Sequence, residues 1–195
     1  IGVTNTLKQV VISGNGNINK FYDIAAKMMD DSIQSIQIAP NGVVTEIYPE
    51  EGNESGKIDL INDSDRGEIS RYARDNDTVI MQGTFELKQG GYGIAVRNPV
   101  YLENENGQKR FWGFTIVILK DPEIFSDSVE ALSNFGYKYS LQKSAAPWDD
   151  SYEWVYGSNK ELNDPVIYDF DVYGGKWRLE ILPKSGFYNN NYLIY

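Results

Sequence analysis

Apolar positions repeat along the chain with two different periods, which separates helical segments from extended ones. Near the start, one helix face is predicted by apolar residues at three- and four-residue spacing: Phe21, Ile24, Ala25 and Met28. Residues 3–30 are therefore predicted to be helical, with Gly14 and Gly16 kinking or interrupting the helix. Two arrangements fit this pattern equally well: a long stalk helix before a mixed sheet, or a helix packed on its own domain.

Alternating apolar residues then predict a series of short strands. Residues 33–49 form a hairpin, because Asn41-Gly42 supplies the positive-φ residues of a tight turn. A helix capped by Asp63 or Ser64 follows. Further strands are predicted over 78–81, 85–87, 92–96 and 100–102. The next run, FWGFTIVILK, is apolar almost throughout and predicts a central strand covered on both faces.

A second unit is predicted to begin with a helix at Asp121. Asp121 is a suitable cap, Pro122 suits the first helical position, and Gly136 suits the end of the helix. Four strands follow, in YKYSLQ, EWVYG, PVIYDFDVY and KWRLEIL. The predicted fold class is α+β, with mainly antiparallel sheets and flanking helices. The predicted organisation is a stalk helix over 1–30, a larger unit over 31–120 and a smaller unit over 121–195.

Composition and charge exclude several function classes. The 195 residues carry a net charge of −10, and a surface of that sign repels phosphate backbones, so we expect no nucleic-acid partner. The chain contains no cysteine and no histidine, which excludes thiolate chemistry and a Ser-His-Asp relay. We expect no metal and no cofactor. The chain starts at Ile1 rather than at methionine, and we expect it to be a segment whose flanks hold a membrane anchor.

Several segments, in order, resemble the CHASE domain, the extracytoplasmic sensory module of membrane-bound histidine kinases, diguanylate cyclases and related receptors. They are IAPNGVVTEIYP, KIDL, QGTFELKQGGYGIAVRNPVY, RFWGFTIVIL and, in the second half, FGYKYSLQ with DPVIYDFDVYGGKWRLEILPKSGF. The resemblance covers residues 20–188. It implies a long N-terminal helix followed by two PAS-like subdomains, one distal and one proximal to the membrane. It also implies a small-molecule ligand in the distal subdomain, a homodimer and a cytoplasmic output domain.

The same resemblance suggests ligand contacts at four residues. In the plant members, which bind adenine-type cytokinins, an Asp before the pocket-side helix bonds the purine, and Asp59 matches that position. Ile80, Met81 and Gln82 match the strand whose backbone contacts the ligand. The residues themselves leave an alternative for Asp59, because most aspartates near loops cap a loop or a helix.

Arg97 and Tyr92 are candidate ligand residues on a predicted strand. Arg97 alternates with Ala95 and Pro99, so its guanidinium can fork onto a ligand carboxylate or onto Asp59. The alternatives are a side chain that extends to solvent or a structural salt bridge. Tyr92 either stacks on a flat ligand or belongs to the core. The preceding Gly90 and Gly91 predict a turn; a strand rather than a helix follows them, so we expect no phosphate site there.

Two rival functions remain open from the sequence. A secreted carbohydrate-binding or carboxylate-dependent glycan-hydrolysing domain would use the 14 tyrosines and 4 tryptophans as sugar platforms. Hydrolysis needs two carboxylates opposed across a cleft, and no such pair is evident in the sequence. Glu50-Glu51 and Asp149-Asp150 are adjacent residues of predicted loops, where solvated charge is expected. The other rival is a structural spacer without a ligand. The non-catalytic sensor is the leading prediction.

Overall fold

The computed structural model describes residues 2–51, 58–87, 90–121 and 123–186, without the side chains of residues 123, 124, 126 and 127. The chain divides into two compact units, Ile1–Asp121 and Pro122–Tyr195. In the part of the chain that the structure describes, no helix is both long and apolar enough to cross a membrane.

The first unit is a five-stranded antiparallel sheet with helices on both faces. Its elements are α1 Gly2–Ser13, α2 Phe21–Met28, β1 Ile33–Pro40, β2 Glu46–Tyr48, α3 Gly67–Asp75, β3 Ile80–Glu86, β4 Tyr92–Glu103 and β5 Lys109–Asp121. The strand order is β2-β1-β5-β4-β3. The apolar run FWGFTIVILK lies in β5, the middle strand, which confirms its predicted central position.

Register assigns the residues of the sheet to its two faces. Arg97 of β4 pairs with Ile116 of β5 and with Ile80 of β3. Ile80 and Ile116 pack with Ile69 and Ala73 of α3, so Arg97 is on the face that α3 covers, the α3 face. Residues one position along the strands lie on the opposite face.

The opposite face is covered by α1. The Thr115 hydroxyl donates to the carbonyl of Thr4 over 2.9 Å, and Leu7 and Val11 of α1 are fully buried. We call this the α1 face. Of the two arrangements that the sequence left open, the structure has the helix packed on its own domain.

The long N-terminal helix predicted over 1–30 is wrong, because two shorter helices stand in its place. The helix α1 ends where Asn15 and Gly16 take positive φ angles of 48° and 88°. Lys20 also has a positive φ angle, 68°, immediately before α2 begins. A left-handed residue cannot continue a right-handed helix, and glycine adopts that conformation without strain. The predicted interruption at the glycines is confirmed.

Two strands are longer than predicted. The segments 78–81 and 85–87 fall in or beside a single strand, β3, whose register to β4 shifts between Gln82 and Phe85. The segments 92–96 and 100–102 belong to one continuous β4 despite Pro99. Proline is tolerated because β3 begins at Ile80, opposite Arg97, so Pro99 lies past the end of β3 and needs no N–H on that side.

The second unit is a four-stranded antiparallel sheet with one described helix. Its elements are α4 Glu123–Asn134, β6 Tyr137–Ser144, β7 Tyr152–Gly157, β8 Val166–Val172 and β9 Gly175–Pro183. The strand order is β7-β6-β9-β8. Gly136 follows α4 with φ 83°, as the predicted helix end requires. The buried core contains Val129, Tyr139, Leu141, Val155 and Trp177.

Candidate functional site

Arg97 is a buried cation on the α3 face of the first sheet. Its side chain is 3% exposed, so it does not extend to solvent. Its Nη1 donates a hydrogen bond to Oε1 of Gln82, and Nε2 of Gln82 donates to the carbonyl of Asp65 over 3.1 Å. Among the described residues, Nε of Arg97 has no hydrogen-bond partner, and no carboxylate lies within the 4 Å of an ion pair.

The surroundings leave the charge of Arg97 only partly compensated. Burial lowers the pKa of Arg97 to about 9; nearby Arg66 lowers it further, and Asp63 opposes this. The Asp63 carboxylate is itself bonded to Arg66, with 2.8 Å between Oδ2 and Nη1. At neutral pH the guanidinium therefore keeps its proton in a place that desolvates it. Burying a charge without a partner costs several kcal/mol, which a bound anion would offset.

On the α3 face beside Arg97, apolar side chains separate polar ones. Ile116 and Ala95 are the apolar residues, both buried, and Gln82 pairs with Ala95 on the Arg97 side. On the other side of β5, Gln37 pairs with Ile116. Two strand spacings separate the backbones of Gln37 and Arg97, a distance of about 10 Å. An apolar surface with a few polar groups is the usual lining of a small-molecule site.

Gln37 was missed by the sequence reasoning. It is buried, and its Nε2 donates to the hydroxyl of Ser35 over 3.0 Å. The signal was present in IQSIQIAP, where Ser35 and Gln37 alternate with apolar residues in a strand that has partners on both sides. A polar residue facing inward from an interior strand needs a partner in the protein or in a ligand.

Asp59 lies in the segment before α3, where its carboxylate organises a turn. Its Oδ1 accepts the backbone N–H groups of Ile61 and Asn62 over 3.0 and 3.1 Å, and its Oδ2 accepts Nδ2 of Asn62 over 2.8 Å. The side-chain bond from Asn62 and these backbone bonds lower the pKa of Asp59. It forms no ion pair with Arg97. Its predicted role as a ligand contact stays a prediction.

The predicted strand Ile80, Met81 and Gln82 is the start of β3. Ile80 is fully buried beside Arg97, and Gln82 bonds to Arg97 directly. Met81 pairs with Val96, so its side chain lies on the α1 face. The structure thus brings Ile80, Gln82 and Arg97 together and directs the Met81 side chain away from them. Ligand contact by the backbone of this strand stays a prediction.

Tyr92 lies at the start of β4, five residues before Arg97. It is 51% exposed and pairs with Asp121, and the alternation of β4 places its side chain on the α1 face. The preceding Gly90 and Gly91 have φ angles of 92° and 79°, as the turn prediction requires. The structure therefore does not bring Tyr92 to the side of the sheet that holds Arg97.

The acidic pair of the second unit is engaged in local bonds. Oδ1 of Asp149 accepts the backbone N–H and the hydroxyl of Ser151, both over 2.8 Å. Asp150 forms an ion pair with Lys176. These bonds are typical of a loop cap and a surface ion pair, and they do not direct the two carboxylates across a cleft.

Several solved structures are similar to this chain in fold. No family model and no curated protein matches the sequence. An extracellular ligand-binding receptor from Desulfohalobium retbaense aligns at TM-score 0.63 and 11% identity over 92% of this chain. The ligand-binding domain of the Pseudomonas aeruginosa amino-acid chemoreceptor PctC, solved with GABA, aligns at 0.54 and 12% over 92%. The extracellular domain of the putative histidine kinase rpHK1S-Z16 aligns at 0.52 and 15% over 90%.

These likenesses define the class of fold. The chain spans 36% of the D. retbaense receptor, 86% of the PctC domain and 82% of the histidine kinase domain. At 11–15% identity they show the fold alone: an α+β chain with two antiparallel sheets. Membership of the CHASE family stays a prediction.

Proposed function

We propose that this chain is the extracytoplasmic ligand-sensing part of a membrane-bound receptor and binds a small carboxylate on the α3 face of its first unit. The residues that recognise the ligand are Arg97 and Gln82, with Ile116 and Ala95 as the apolar residues beside them. The chain performs no chemistry on the ligand. Occupancy is read by a cytoplasmic output domain, a diguanylate cyclase or a histidine kinase, in a receptor that is a homodimer.

The observation that carries this proposal is the buried guanidinium of Arg97. A structural arginine is normally matched by a carboxylate or exposed to water, and among the described residues Arg97 is neither. Guanidinium binds a carboxylate through two parallel N–H···O bonds, and Nε–H of Arg97 is available for one of them. The fold supports a sensory role, and GABA, which the similar PctC domain binds, carries a carboxylate.

A thermal-shift screen of this chain tests the proposal. The compounds are amino acids including GABA, short mono- and dicarboxylates, the primary amides of the same compounds, purines and sugars. A carboxylate at 100-fold its dissociation constant stabilises the folded state by about 2.7 kcal/mol. We expect at least one carboxylate to stabilise the chain and its amide to have no effect, because the amide lacks the charge that Arg97 requires.

Two variants attribute the shift to the site. Arg97→Met is expected to lower the stabilisation to about half or less, because the side chain keeps its length and loses its charge. Arg110→Met is the matched control, since Arg110 is an exposed arginine of β5 in the same sheet. If no carboxylate stabilises the chain and a sugar does, the carbohydrate-binding rival replaces the proposal. If no compound in the screen stabilises the chain, the structural-spacer rival replaces the proposal.

A further inference from the structure

Lys143 and Trp177 place two buried hydrogen-bond donors side by side in the second unit. They are paired residues of β6 and β9, so their side chains emerge on the same face of the sheet. Lys143 is 2% exposed and Trp177 is 3% exposed. Neither was singled out from the sequence, and neither takes part in the site of the first unit.

The Lys143 ammonium is incompletely satisfied. An ammonium carries three N–H donors, and the one hydrogen bond that Nζ forms among the described residues goes to the carbonyl of Ser144 over 2.7 Å. Glu153 pairs with Lys143 across β6 and β7, but it is exposed and not within ion-pair distance. Burial lowers the pKa of Lys143 to about 8, so the group is still a cation at neutral pH.

The indole of Trp177 supplies the second donor. Its Nε1 is buried and has no hydrogen-bond partner among the described residues. The ring is fixed by two aromatic neighbours, Phe125 at 5.5 Å and Phe170 at 6.4 Å between ring centroids. A buried indole N–H normally has an acceptor, and these two phenyl rings provide none.

Gly175 lies beside both side chains. The point that a Cβ on Gly175 would occupy lies 3.4 Å from Cε of Lys143, 3.5 Å from Nε1 of Trp177 and 3.4 Å from the carbonyl oxygen of Val172. These are ordinary van der Waals distances, so a methyl group bonded to Gly175 would contact both side chains without a clash. The backbone of Gly175 lies outside the positive-φ region, and its conformation does not require glycine.

We propose that Lys143 and Trp177 hold a small monovalent anion, of the size of formate, acetate or chloride, beside Gly175. An anion accepts hydrogen bonds from both donors and neutralises the buried ammonium. This site is independent of the carboxylate site at Arg97. Its occupant is small because both donors are buried and adjoin a tight hairpin between β8 and β9.

The indole N–H signal of Trp177 reports on this site directly. In a ¹H–¹⁵N spectrum of the whole chain, four tryptophan indole signals are expected, and Trp177→Phe assigns one of them. Sodium formate is titrated against sodium gluconate at constant ionic strength, since gluconate is too large to enter. We expect the Trp177 signal to shift saturably with formate while the other three stay unchanged. Acetate and chloride titrations then rank the anions.

Two variants decide whether the shift arises from the proposed site. Lys143→Met removes the charge and is expected to weaken formate binding at least tenfold. Gly175→Ala places a methyl group against both side chains and is expected to do the same. Lys138→Met, on the opposite face of β6, and Arg97→Met are controls that retain the response. A Trp177 signal that formate leaves unmoved would overturn the proposal in favour of a buried water. If formate shifts the Trp177 signal equally in Lys143→Met, the proposal is overturned as well.

Discussion

Arg97 and Asn98 are consecutive residues of β4, and they face opposite sides of the first sheet. Arg97 lies on the α3 face beside Gln82. Asn98 lies on the α1 face, where its Nδ2 donates to Oδ1 of Asn5 over 2.7 Å and its Oδ1 accepts Nζ of Lys8 over 3.3 Å. One strand thus connects the proposed ligand site to the N-terminal helix α1.

This connection predicts a ligand-dependent change in α1. The carboxylate found in the thermal-shift screen is expected to increase hydrogen-exchange protection of α1 amides. In Asn98→Ala the protection of α1 should no longer respond, while affinity for the carboxylate stays within about threefold. Asn106→Ala, in the exposed turn before β5, is the control. Equal protection of α1 in Asn98→Ala and in the unmodified chain would show that Asn98 does not carry the coupling.

Arg97→Met is expected to leave the ligand-free chain as stable as before, or more stable. Replacing a buried charge by an apolar group of similar length removes its desolvation cost, and comparable replacements have stabilised proteins by about 1–4 kcal/mol. Urea unfolding of the two chains without ligand measures this. A structural arginine behaves oppositely: a loss of more than about 2 kcal/mol would mean that Arg97 holds the sheet together.

Asp59 allows its two roles to be separated by two substitutions. Asp59→Ala leaves the N–H groups of Ile61 and Asn62 without their acceptor, which is expected to cost about 1 kcal/mol. Asp59→Asn keeps an acceptor oxygen and is expected to restore most of that stability. The resemblance to CHASE domains predicts that both variants lose ligand affinity, since both lack the carboxylate. If calorimetry finds that Asp59→Asn keeps full affinity for the ligand, Asp59 only organises the turn and does not contact the ligand.

The lowered pKa of Lys143 predicts that the folded state becomes more stable in alkaline solution. Its folded-state pKa of about 8 lies below the ordinary lysine value of 10.5, so the unfolded chain binds more protons between these values. Stability conferred by this group therefore increases as the pH rises from about 8 to 10.5, by up to about 3 kcal/mol. Lys143→Met is expected to be more stable at pH 7 and to lose this increment. Urea unfolding at pH 7, 8.5 and 10 without added small anions measures both effects. If the free energy of unfolding of Lys143→Met rises with pH by the same amount, the rise is due to other titrating groups.

The order of elements could be predicted from the sequence because each strand and helix carries its own local signal. Asn41 and Gly42 have the positive φ angles, 54° and 86°, that their turn was predicted to need. The apolar run in β5 indicated a strand covered on both faces, and α1 and α3 cover it. The continuity of β4 through Pro99 could not be predicted, since it depends on where β3 begins.

The site was predicted only in part because burial of polar side chains depends on the assembled sheet. The alternation of Ala95, Arg97 and Pro99 gave the face of Arg97 correctly, but not the identity of its partner, Gln82. Gln37 and Lys143 were missed, since neither pattern nor composition shows that a strand residue has lost its solvent. In each case the decisive fact is which residue lies opposite on the neighbouring strand.

The most direct test of the central claim is calorimetric titration of the best carboxylate from the screen into three chains: unmodified, Arg97→Met and Arg110→Met. Loss of a charge-assisted hydrogen bond costs about 1.5–3 kcal/mol, so Arg97→Met should bind roughly 10- to 150-fold more weakly. Arg110→Met should bind as the unmodified chain does. Equal affinity in all three chains would contradict the account, because the ligand would then be recognised without the buried guanidinium.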